Sequence, residues 1–389
     1  MLKVAHIKET FLPLSETFIY SYLVNMKGVE SHVVAERTEN EDLFPFDRKH
    51  VLAEQGPLLV GYSRLLHKVT RSPKTHFALL PRSPFAEQAV GRINADIVHA
   101  HGGYAGYRYV RLSARPGTPY VTTFYGRDIG AGSRHPYWKK AYQVLFSAGD
   151  LFLVEGPSML EKLVKAGCPG GKVRLQRIGI DLEKFPPKMY GDRKPVEHAL
   201  VLMCGRMVEK KGMEFGIRAF AEVNRRFPAA EMMVIGDGPL FGSLKRLVSS
   251  LDLDGSIRFT GPLSYAQYAV LSREADIFLQ PSVTASDGDS EGGAPTTLLE
   301  MQALGMPVVS TRHDDIPQIV SEGKSGFLVG ERDVEALAER MMFLLANPGI
   351  WSEMGMEGRK LVEKNHDIRV LAARLERVYA DLSGLGGSI

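Results

Sequence analysis

The segment from Glu291 to Glu300 reads Glu-Gly-Gly-Ala-Pro-Thr-Thr-Leu-Leu-Glu, the residue types of a phosphate-binding loop followed by a helix. Proline suits the first position of a helix because its missing N–H costs nothing there, so Pro295 predicts that position. Amides at the start of a helix carry partial positive charge and bind anions. We therefore expect a diphosphate to lie against the amides from Gly293 to Thr297.

The two carboxylates of this segment take different positions in the predicted structure. Glu300 lies more than one turn inside the predicted helix, too deep to cap it, so its side chain is available for a neutral hydroxyl such as that of a ribose. Glu291 stays in the loop. We predict that Glu300 binds the ribose of a nucleotide and that Glu291 binds a transferred sugar.

A cationic turn that begins at Gly205 follows a predicted strand and presents Arg206, Lys210 and Lys211. Charge-assisted hydrogen bonds from such side chains are each worth about 1.5 to 3 kcal/mol, so they can stabilise a diphosphate leaving group. We predict this role for Arg206 and Lys211. Lys210 could equally form a surface pair with its neighbour Glu209.

Two other motifs could indicate a metal or a cofactor. Asp287 and Asp289 stand one residue apart and could hold a divalent cation, but the neighbouring basic residues already serve a diphosphate and make a metal redundant. The turn from Gly236 to Pro239 lacks the third glycine of a dinucleotide fingerprint, which argues against a nicotinamide cofactor. We therefore expect neither a metal nor a cofactor.

Polar residues also follow two predicted strands in the first half of the chain. We interpret His99 as structural, whereas His101, Tyr125 and Asp128 are candidates for contact with sugar hydroxyls of an acceptor. Nearer the start of the chain, Glu16 and its neighbours could cap a helix or contact the acceptor.

Short apolar runs alternate with helical patterns along all 389 residues, which predicts α/β domains with parallel sheets and helices on both faces. The predicted strands form two series, 4–7, 31–35, 97–100, 120–124 and 151–154, then 199–204, 231–235, 257–260, 277–279, 307–310 and 326–329. We predict two Rossmann-like, doubly wound domains facing each other across a cleft. Their bounds are 1–184 for the acceptor domain, 185–195 for a linker, 196–365 for the nucleotide-sugar domain, and 366–389 for a C-terminal helix that could cross back to the first domain.

Charge is distributed unevenly, although the net charge is only +3. Basic residues outnumber acidic ones up to Pro195, most strongly within 56–143, and the reverse holds afterwards. Together with Tyr137 and Trp138 this pattern suits a surface that rests on anionic lipid, although a solvated face is equally consistent with it. No apolar run approaches the ~18 residues of a membrane span, and the start is not a signal peptide. We expect a cytoplasmic protein, peripheral on the inner face of the plasma membrane, with no nucleic acid partner.

Taken in order, these motifs resemble those of the retaining glycosyltransferases of family 4, which have the GT-B fold, and the resemblance covers nearly the whole chain. It is carried by Gly205-Arg206 with Lys210-Lys211-Gly212, Gly236-Asp-Gly-Pro239, Glu291 to Glu300, Ala303-Leu-Gly-Met-Pro-Val-Val309, and Gly167-Cys-Pro169 with Gly179-Ile-Asp181. The branch that builds exopolysaccharides such as colanic acid on lipid-linked intermediates is suggested by Leu14-Ser-Glu-Thr-Phe-Ile19, His99-Ala-His101 and Ser286-Asp-Gly-Asp289.

The resemblance implies roles for individual residues and a metal-independent reaction. Arg206 and Lys211 would hold the donor diphosphate beside Gly205, Glu300 would hold the ribose, and Glu291 would hold the donor sugar with the amides of Gly292, Gly293 and Ala294. The family retains anomeric configuration by front-side attack, in which the departing phosphate helps to deprotonate the acceptor hydroxyl. The protein then supplies mainly positioning and electrostatic stabilisation.

Two departures from the family pattern concern the site. The paired glutamates of the family stand eight positions apart, whereas Glu291 and Glu300 stand nine apart, and we expect the loop to absorb the extra residue at Glu291. The family often has histidine where this chain has Tyr125. A phenol can hydrogen-bond a sugar hydroxyl but cannot act as an imidazole would.

The sequence thus predicts a retaining glycosyltransferase that moves a hexose from a nucleotide diphosphate sugar, a UDP-sugar by preference, to a lipid-linked or oligosaccharide acceptor. One alternative is an isomerase on the same fold that epimerises a UDP-amino sugar without an acceptor. Another is a non-catalytic protein that binds a sugar nucleotide or a partner subunit, which the two departures would favour.

Overall fold

In the computed structural model of the chain, the two series of apolar runs form two separate sheets in which every strand pairing is parallel. The structure describes residues 1–13, 16–52, 84–112, 116–130, 136–188, 190 and 198–384. Ser15, part of the basic stretch from 56 to 143 and most of the expected linker lie outside these residues. The prediction of two Rossmann-like parallel-sheet domains is confirmed.

The first unit comprises Met1–Gly179 and Ile368–Ile389. Its described strands are β1 (Leu2–Phe11), β2 (Val29–Thr38), β3 (Lys49–Val51), β4 (Ile97–His101), β5 (Tyr120–Thr123), β6 (Leu151–Val154) and β7 (Val173–Leu175). Its described helices are α1 (Thr17–Asn25), α2 (Pro84–Ile93), α3 (Gly103–Tyr109), α4 (Pro136–Ala148), α5 (Pro157–Lys165) and α12 (Ile368–Leu382), with a 3-10 turn at Gly170–Lys172. The strand order is β3-β2-β1-β4-β5-β6-β7.

The second unit comprises Ile180–Asp367. Its described strands are β8 (Leu200–Cys204), β9 (Glu231–Ile235), β10 (Ile257–Gly261), β11 (Ile277–Gln280), β12 (Val308–Thr311) and β13 (Gly326–Val329), in the order β10-β9-β8-β11-β12-β13. Its described helices are α6 (Met213–Arg226), α7 (Phe241–Ser250), α8 (Tyr265–Ser272), α9 (Thr296–Ala303), α10 (Val334–Ala346) and α11 (Trp351–His366). The 3-10 turns are Glu209–Lys211, Ile316–Gln318 and Pro348–Ile350.

Both sheets are buried on both faces, as their continuous apolar strands require. Phe152 and Val154 of the first unit lie in one core cluster, while their neighbours Leu151 and Leu153 lie in another on the opposite face. In the second unit the strand residues likewise divide between two clusters. This layering fixes the strands rigidly, so side chains at the strand ends are held in defined positions.

The unit boundaries differ from the predicted ones. Ile180 and Phe185 are buried in a core cluster of the second unit, so that unit begins before the expected linker. Arg359, itself buried, donates hydrogen bonds to the carbonyl oxygens of Phe185 and Ala303 and fixes this entry segment. At the other end α12 packs in the first unit, where Leu375 and Tyr379 belong to the cluster of β1 and α1. No helix within the described residues is both long and apolar enough to cross a membrane.

Candidate functional site

The predicted anion-binding residues of the second unit converge where β8 and β11 end. These two strands are adjacent in the sheet, and the strand order reverses between them, so the chain leaves them in opposite directions. Open parallel sheets bind ligands at the carboxyl ends of strands at such a reversal. The cationic turn follows β8, and the chain that follows β11 leads through the loop to α9.

Close backbone approach holds the cationic turn against the chain that follows β11. Gly212 has a φ of 61°, and a Cβ at this position would lie 1.8 Å from the carbonyl oxygen of Pro281. Gly236 likewise leaves room only for the carbonyl oxygen of Gly205, which would lie 2.1 Å from an added Cβ. Gly205 itself donates its N–H to the oxygen of Ile235, so its contribution is close packing of backbone.

An ion pair joins the cationic turn to the loop. The Nζ atom of Lys211 lies 3.0 Å from Oε2 of Glu291, and Ser282 donates a hydrogen bond of 2.6 Å to the other carboxylate oxygen. Burial alone would raise the pKa of Glu291, but the charges of Lys211 and Lys210, together with the hydrogen bonds from Ser282 and Lys211, lower it. Glu291 is therefore an oriented anion despite its position in a loop.

Each residue of the 3-10 turn Glu209–Lys211 contacts the loop that connects β11 to α9. Glu209 accepts hydrogen bonds from the N–H and the hydroxyl of Ser286, at 2.8 and 2.7 Å. Lys210 forms an ion pair of 3.2 Å with Asp289 and donates a hydrogen bond to the carbonyl oxygen of Ser290. The interpretation of Glu209 and Lys210 as a surface pair is wrong, because each residue contacts the loop instead.

Arg206 is the exposed cation of the turn. Within the described part of the chain its guanidinium group forms no hydrogen bond and no ion pair. The predicted role of Arg206 as a ligand for a diphosphate therefore costs the protein no internal contact, in contrast to Lys211.

The amides of the loop divide into two groups. The N–H of Glu291 donates to Nε2 of His313 at 3.1 Å, and the N–H of Gly292 donates to Asp314 at 2.7 Å. The amide of Gly292, which the resemblance assigns to the donor sugar, is therefore engaged within the protein. Among the described residues, no group accepts a hydrogen bond from the amides of Gly293, Ala294, Thr296 or Thr297.

His313 was missed by the sequence analysis, although it fixes the loop. Its Nδ1 lies 2.6 Å from Oε1 of Glu331, so the proton resides on Nδ1 and Nε2 accepts from the backbone of Glu291. Glu331 also accepts from the N–H of Thr284 at 2.8 Å. The signal that could have found this network is the polar run Thr311-Arg-His-Asp-Asp315, which begins at the last residue of β12.

Helix α9 begins one residue later than predicted. Pro295 is the residue before the helix, with a φ of −57° and a ψ of 125°, and Thr296 is the first helical residue. The hydroxyl of Thr297 donates to the side-chain oxygen of Gln280 at 3.2 Å. This shift leaves the unpaired amides at the helix start, where the predicted anion site requires them.

Glu300 lies on α9 and is buried, with 8% of its surface exposed. Its Oε2 accepts a hydrogen bond of 2.6 Å from the hydroxyl of Tyr268, and its Oε1 lies 3.5 Å from the hydroxyl of Tyr265. Burial raises the pKa of Glu300 to about 7 against the lowering effect of these hydroxyls. A ribose hydroxyl meeting this residue would find a carboxylate that titrates near neutral pH.

In the first unit, a row of imidazoles connects β1 and β4. His6 pairs with His99 across the two strands, and Nδ1 of His6 lies 2.9 Å from Nε2 of His101. Nδ1 of His101 in turn lies 2.6 Å from the hydroxyl of Tyr125. These contacts bring two predicted acceptor residues, His101 and Tyr125, into one hydrogen-bonded chain.

The three imidazoles are close enough together to resemble a metal site, with ligand atoms within 4.8 Å of one another. Both nitrogens of His99 are used by Tyr379 and Thr123, at 2.6 and 2.7 Å. Of the ring nitrogens of these three histidines, only Nε2 of His6 lacks a partner among the described residues. Neighbouring rings are also stacked, which does not direct their nitrogens to one point. The cluster is built as a hydrogen-bond network.

Asp128 and Glu16 are occupied by contacts within the first unit. Asp128 is buried and accepts hydrogen bonds from the N–H of Gly103 at 2.7 Å and of Tyr125 at 3.1 Å, so its carboxylate fixes the start of α3. Glu16 precedes α1 without capping it through its side chain, and its carboxylate pairs with Lys8 at 2.6 Å. Of the candidates for this cap, the side chain of Glu16 does not cap α1, and Ser15 lies outside the described residues.

The chain matches two protein families. Residues 190–376 match the family Glycosyl transferases group 1, and residues 20–184 match Glycosyltransferase Family 4. The two matches fall on the second and the first half of the chain, which hold the two groups of candidate residues.

Two similar proteins are named as glycosyltransferases of exopolysaccharide biosynthesis. The amylovoran biosynthesis glycosyltransferase AmsK of Erwinia amylovora is 35% identical over 73% of this chain and 70% of its own length. The colanic acid biosynthesis glycosyltransferase WcaL of Escherichia coli K12 is 34% identical over 67% of this chain. The match spans 64% of the WcaL chain, less than two thirds of its length.

The structure is similar to the crystal structure of HepE from Anabaena in complex with UDP and glucose. The TM-score is 0.75 at 14% sequence identity, and the match covers 98% of this chain and all of the other. At this identity the likeness concerns the fold, which is that of the GT-B glycosyltransferases.

Proposed function

The chain belongs to glycosyltransferase family 4, and from this premise we propose that it transfers a hexose from a nucleotide diphosphate sugar to a lipid-linked or oligosaccharide acceptor. The transfer retains the anomeric configuration and contributes to assembly of an exopolysaccharide. The relatives AmsK and WcaL support this last point through the polymers in their names.

One observation carries the proposal. At the strand reversal of the second unit lie the Lys211–Glu291 pair, Arg206 and the start of α9. Among the described residues, neither the guanidinium of Arg206 nor the amides at the start of α9 have a partner. Cations and free amides together form a site for a diphosphate. Glu300, one turn inside the same helix, offers a carboxylate to the ribose. Glu291 is directed to the hexose by its contact with Lys211.

In the reaction, the oxygen of the acceptor hydroxyl forms a bond to the anomeric carbon on the face from which the diphosphate departs. The bond between that carbon and the phosphate oxygen breaks, and the hydroxyl proton passes to the departing phosphate. Arg206, Lys211 and the amides at the start of α9 stabilise the charge that develops on the diphosphate. In this proposal these groups take up the role that a metal would otherwise have, and the step uses no metal.

The donor is a UDP-sugar in this proposal, in keeping with the UDP bound to the structurally similar HepE. The acceptor contacts His101 and the hydroxyl of Tyr125, whose partner in the chain of hydrogen bonds is His101 itself. The exposed Lys139 and Lys140 on α4 suit an anionic membrane surface, which would bring the protein to a lipid-linked acceptor.

The test is a transfer assay with UDP-, GDP- and ADP-sugars and a panel of lipid-linked and oligosaccharide acceptors. We expect Lys211→Ala and Glu300→Ala each to lower the rate at least tenfold while the protein stays folded. Lys324→Ala and Glu339→Ala change exposed residues of the same unit and serve as matched controls.

Three outcomes would contradict the proposal. Parent rates in both site variants would remove the assigned residues from catalysis. Epimerisation of a UDP-amino sugar without acceptor would indicate an isomerase. Binding of UDP without turnover over the whole acceptor panel would indicate a non-catalytic protein.

A further inference from the structure

Among the described residues, one short hydrogen bond supports the carboxylate of Glu300. The hydroxyl of Tyr268, on the neighbouring helix α8, lies 2.6 Å from Oε2 of Glu300, and both side chains are buried to the same extent. The hydroxyl of Tyr265, one turn earlier on α8, lies 3.5 Å from Oε1, at the outer limit of a hydrogen bond. Tyr268 is thus the strong donor of the two.

No cation among the described residues forms a salt bridge with Glu300. Lys184 acts on it only from a distance and lies over the ring of Tyr265, 5.5 Å from its centre. Arg359 on α11 is engaged with the carbonyl oxygens of Phe185 and Ala303. The charge on Glu300 is therefore supported mainly by a neutral phenol.

The remaining groups near Glu300 do not favour its ionised form. Cys204, at the end of β8, is buried, and burial raises the pKa of its thiol to about 12, so it carries no charge. Asp181 is an acid close to Tyr265. Burial also raises the pKa of Tyr268 well above its usual value, which keeps this phenol protonated, and so a donor, at neutral pH.

We propose that Tyr268 is a positioning residue that keeps Glu300 ionised and oriented for the ribose of the nucleotide. This inference rests on the proposed function, because it assigns a task to a partner of the predicted ribose ligand. Tyr268 does not touch the reacting atoms and acts through Glu300.

The chemistry of the ribose explains why the ionised form matters. An ionised carboxylate accepts hydrogen bonds from hydroxyls more strongly than a protonated acid does, and it offers both oxygens as acceptors. Because Glu300 has a pKa of about 7, roughly half of it is ionised at pH 7. Small changes in its surroundings therefore change the fraction of protein that can bind a nucleotide.

The first experiment measures Glu300 directly in the full chain without ligand. The protein is labelled with ¹³C at glutamate carboxyl carbons, and Glu300 is assigned by the signal lost in Glu300→Gln. In Tyr268→Phe we expect the titration midpoint of this signal to rise by about 1 pH unit, since a strong donor to the charged form is lost. Tyr265→Phe removes only a 3.5 Å contact and serves as the matched control. An unchanged midpoint in Tyr268→Phe overturns the inference.

The second experiment measures UDP binding by calorimetry at pH 7 and pH 9, with GDP as a parallel probe. At pH 7 a midpoint higher by about 1 pH unit leaves about one tenth of Glu300 ionised instead of half, so Tyr268→Phe should bind about fivefold more weakly than the parent. At pH 9 nearly all of Glu300 is ionised in both proteins, and their affinities should agree. Comparing proteins at the same pH cancels the titration of the nucleotide phosphates.

The outcomes separate this inference from the proposed function. A purely structural loss in Tyr268→Phe would persist at pH 9 and would contradict the proposed role. If Glu300→Gln weakens UDP binding but Tyr268→Phe binds as the parent does at pH 7, only the inference fails. If Glu300→Gln binds both UDP and GDP as the parent does, Glu300 is not the ribose ligand, and the proposed function loses its site.

Discussion

Lys211 and Glu291 neutralise each other across 3.0 Å, although the sequence assigns the first to a diphosphate and the second to a sugar. Both side chains are largely shielded from water, with 15% and 6% of their surfaces exposed. A diphosphate arriving at Lys211 would therefore compete with Glu291 for the same ammonium group. In the proposed function, the pair would couple recognition of the phosphates to the position of the carboxylate assigned to the sugar.

This coupling predicts a pH-dependent loss of stability in Lys211→Met. Removing one partner of a buried pair leaves an uncompensated charge, which should cost about 3 kcal/mol at pH 7.5. In the parent the lowered pKa of Glu291 contributes stability that is complete above the unfolded pKa and is lost as the pH falls through the folded pKa. In the variant burial dominates and raises that pKa, so acidification should relieve the penalty. The difference from the parent should shrink between pH 7.5 and pH 5.

The measurement uses the fact that the chain has only two tryptophans, Trp138 in the first unit and Trp351 in the second. Urea unfolding followed by the fluorescence of Trp351, in a Trp138→Phe background, reports on the second unit. Lys324→Met is the matched control and should leave the unfolding free energy unchanged. A penalty that is constant from pH 7.5 to pH 5 would contradict the role given to Lys211.

The contact between Lys210 and Asp289 predicts that these two residues act as one unit. If Lys210 serves only to hold the loop, Lys210→Met and Asp289→Asn should lower kcat/KM for sugar transfer by similar factors. The double variant should be no worse than Lys210→Met, because both single variants remove the same ion pair and Lys210→Met also removes the hydrogen bond to Ser290. A loss in Lys210→Met greater than in Asp289→Asn by more than the one hydrogen bond to Ser290 accounts for, about tenfold, would mean that Lys210 also binds the diphosphate.

The buried imidazoles predict that the first unit is sensitive to acid. Burial lowers the pKa of His6, His99 and His101, in the case of His99 to about 3. The unfolded chain takes up these protons near the ordinary histidine pKa of about 6.5. The free energy of unfolding of the first unit is therefore highest above that pH. As the pH falls below it, the free energy of unfolding decreases by about 1.4 kcal/mol per pH unit for each histidine that stays neutral in the folded protein.

Urea unfolding followed by Trp138 fluorescence in a Trp351→Phe background measures this slope between pH 7.5 and pH 5. His6→Gln should reduce the slope by about 1.4 kcal/mol per pH unit, the contribution of one histidine, whatever its effect on the free energy of unfolding at pH 7.5. His32 and Lys8 act on His6 and His101 only through their charges. Replacing either of them leaves the three buried imidazoles in place and should change the slope much less. A slope indifferent to His6→Gln would show that His6 is protonated in the folded protein.

The basic face of α4 predicts salt-dependent binding to anionic membranes. Each lysine near such a surface contributes about 1 kcal/mol, so removing both Lys139 and Lys140 should weaken partitioning about tenfold or more. Pelleting with phosphatidylserine vesicles at low and high salt measures this. Lys165→Ala changes a lysine with 79% exposure elsewhere in the same unit and should have little effect. If the fraction of protein that pellets with vesicles does not depend on the salt concentration or on the charge of the lipid, membrane association is contradicted.

The sequence predicted the two sheets because buried parallel strands are continuous apolar runs that need no knowledge of their partners. It missed β3 and β7, each of three residues at a sheet edge, because such strands bury too little to leave a pattern. That Arg206, Lys211 and Glu291 lie near one another could be predicted because the carboxyl ends of parallel strands lie at the same edge of a sheet.

The details of hydrogen bonding could not be predicted in the same way. The amide of Gly292 is taken by Asp314, and the backbone of Glu291 by His313, both 22 positions away along the chain. Such pairings depend on which loop packs beside which, and local residue types do not determine that. For the same reason the pairing of Glu300 with Tyr268 was not foreseen.

Helix α12 lies at the far end of the sequence yet completes the core of the first unit, where Tyr379 is fully buried. During synthesis, the ribosome must therefore finish all of the second unit before it adds the last piece of the first. The second unit is therefore complete at a stage when the first unit still lacks α12. A chain halted after Asp367 would leave apolar side chains of β1 and α1 open to chaperones and proteases.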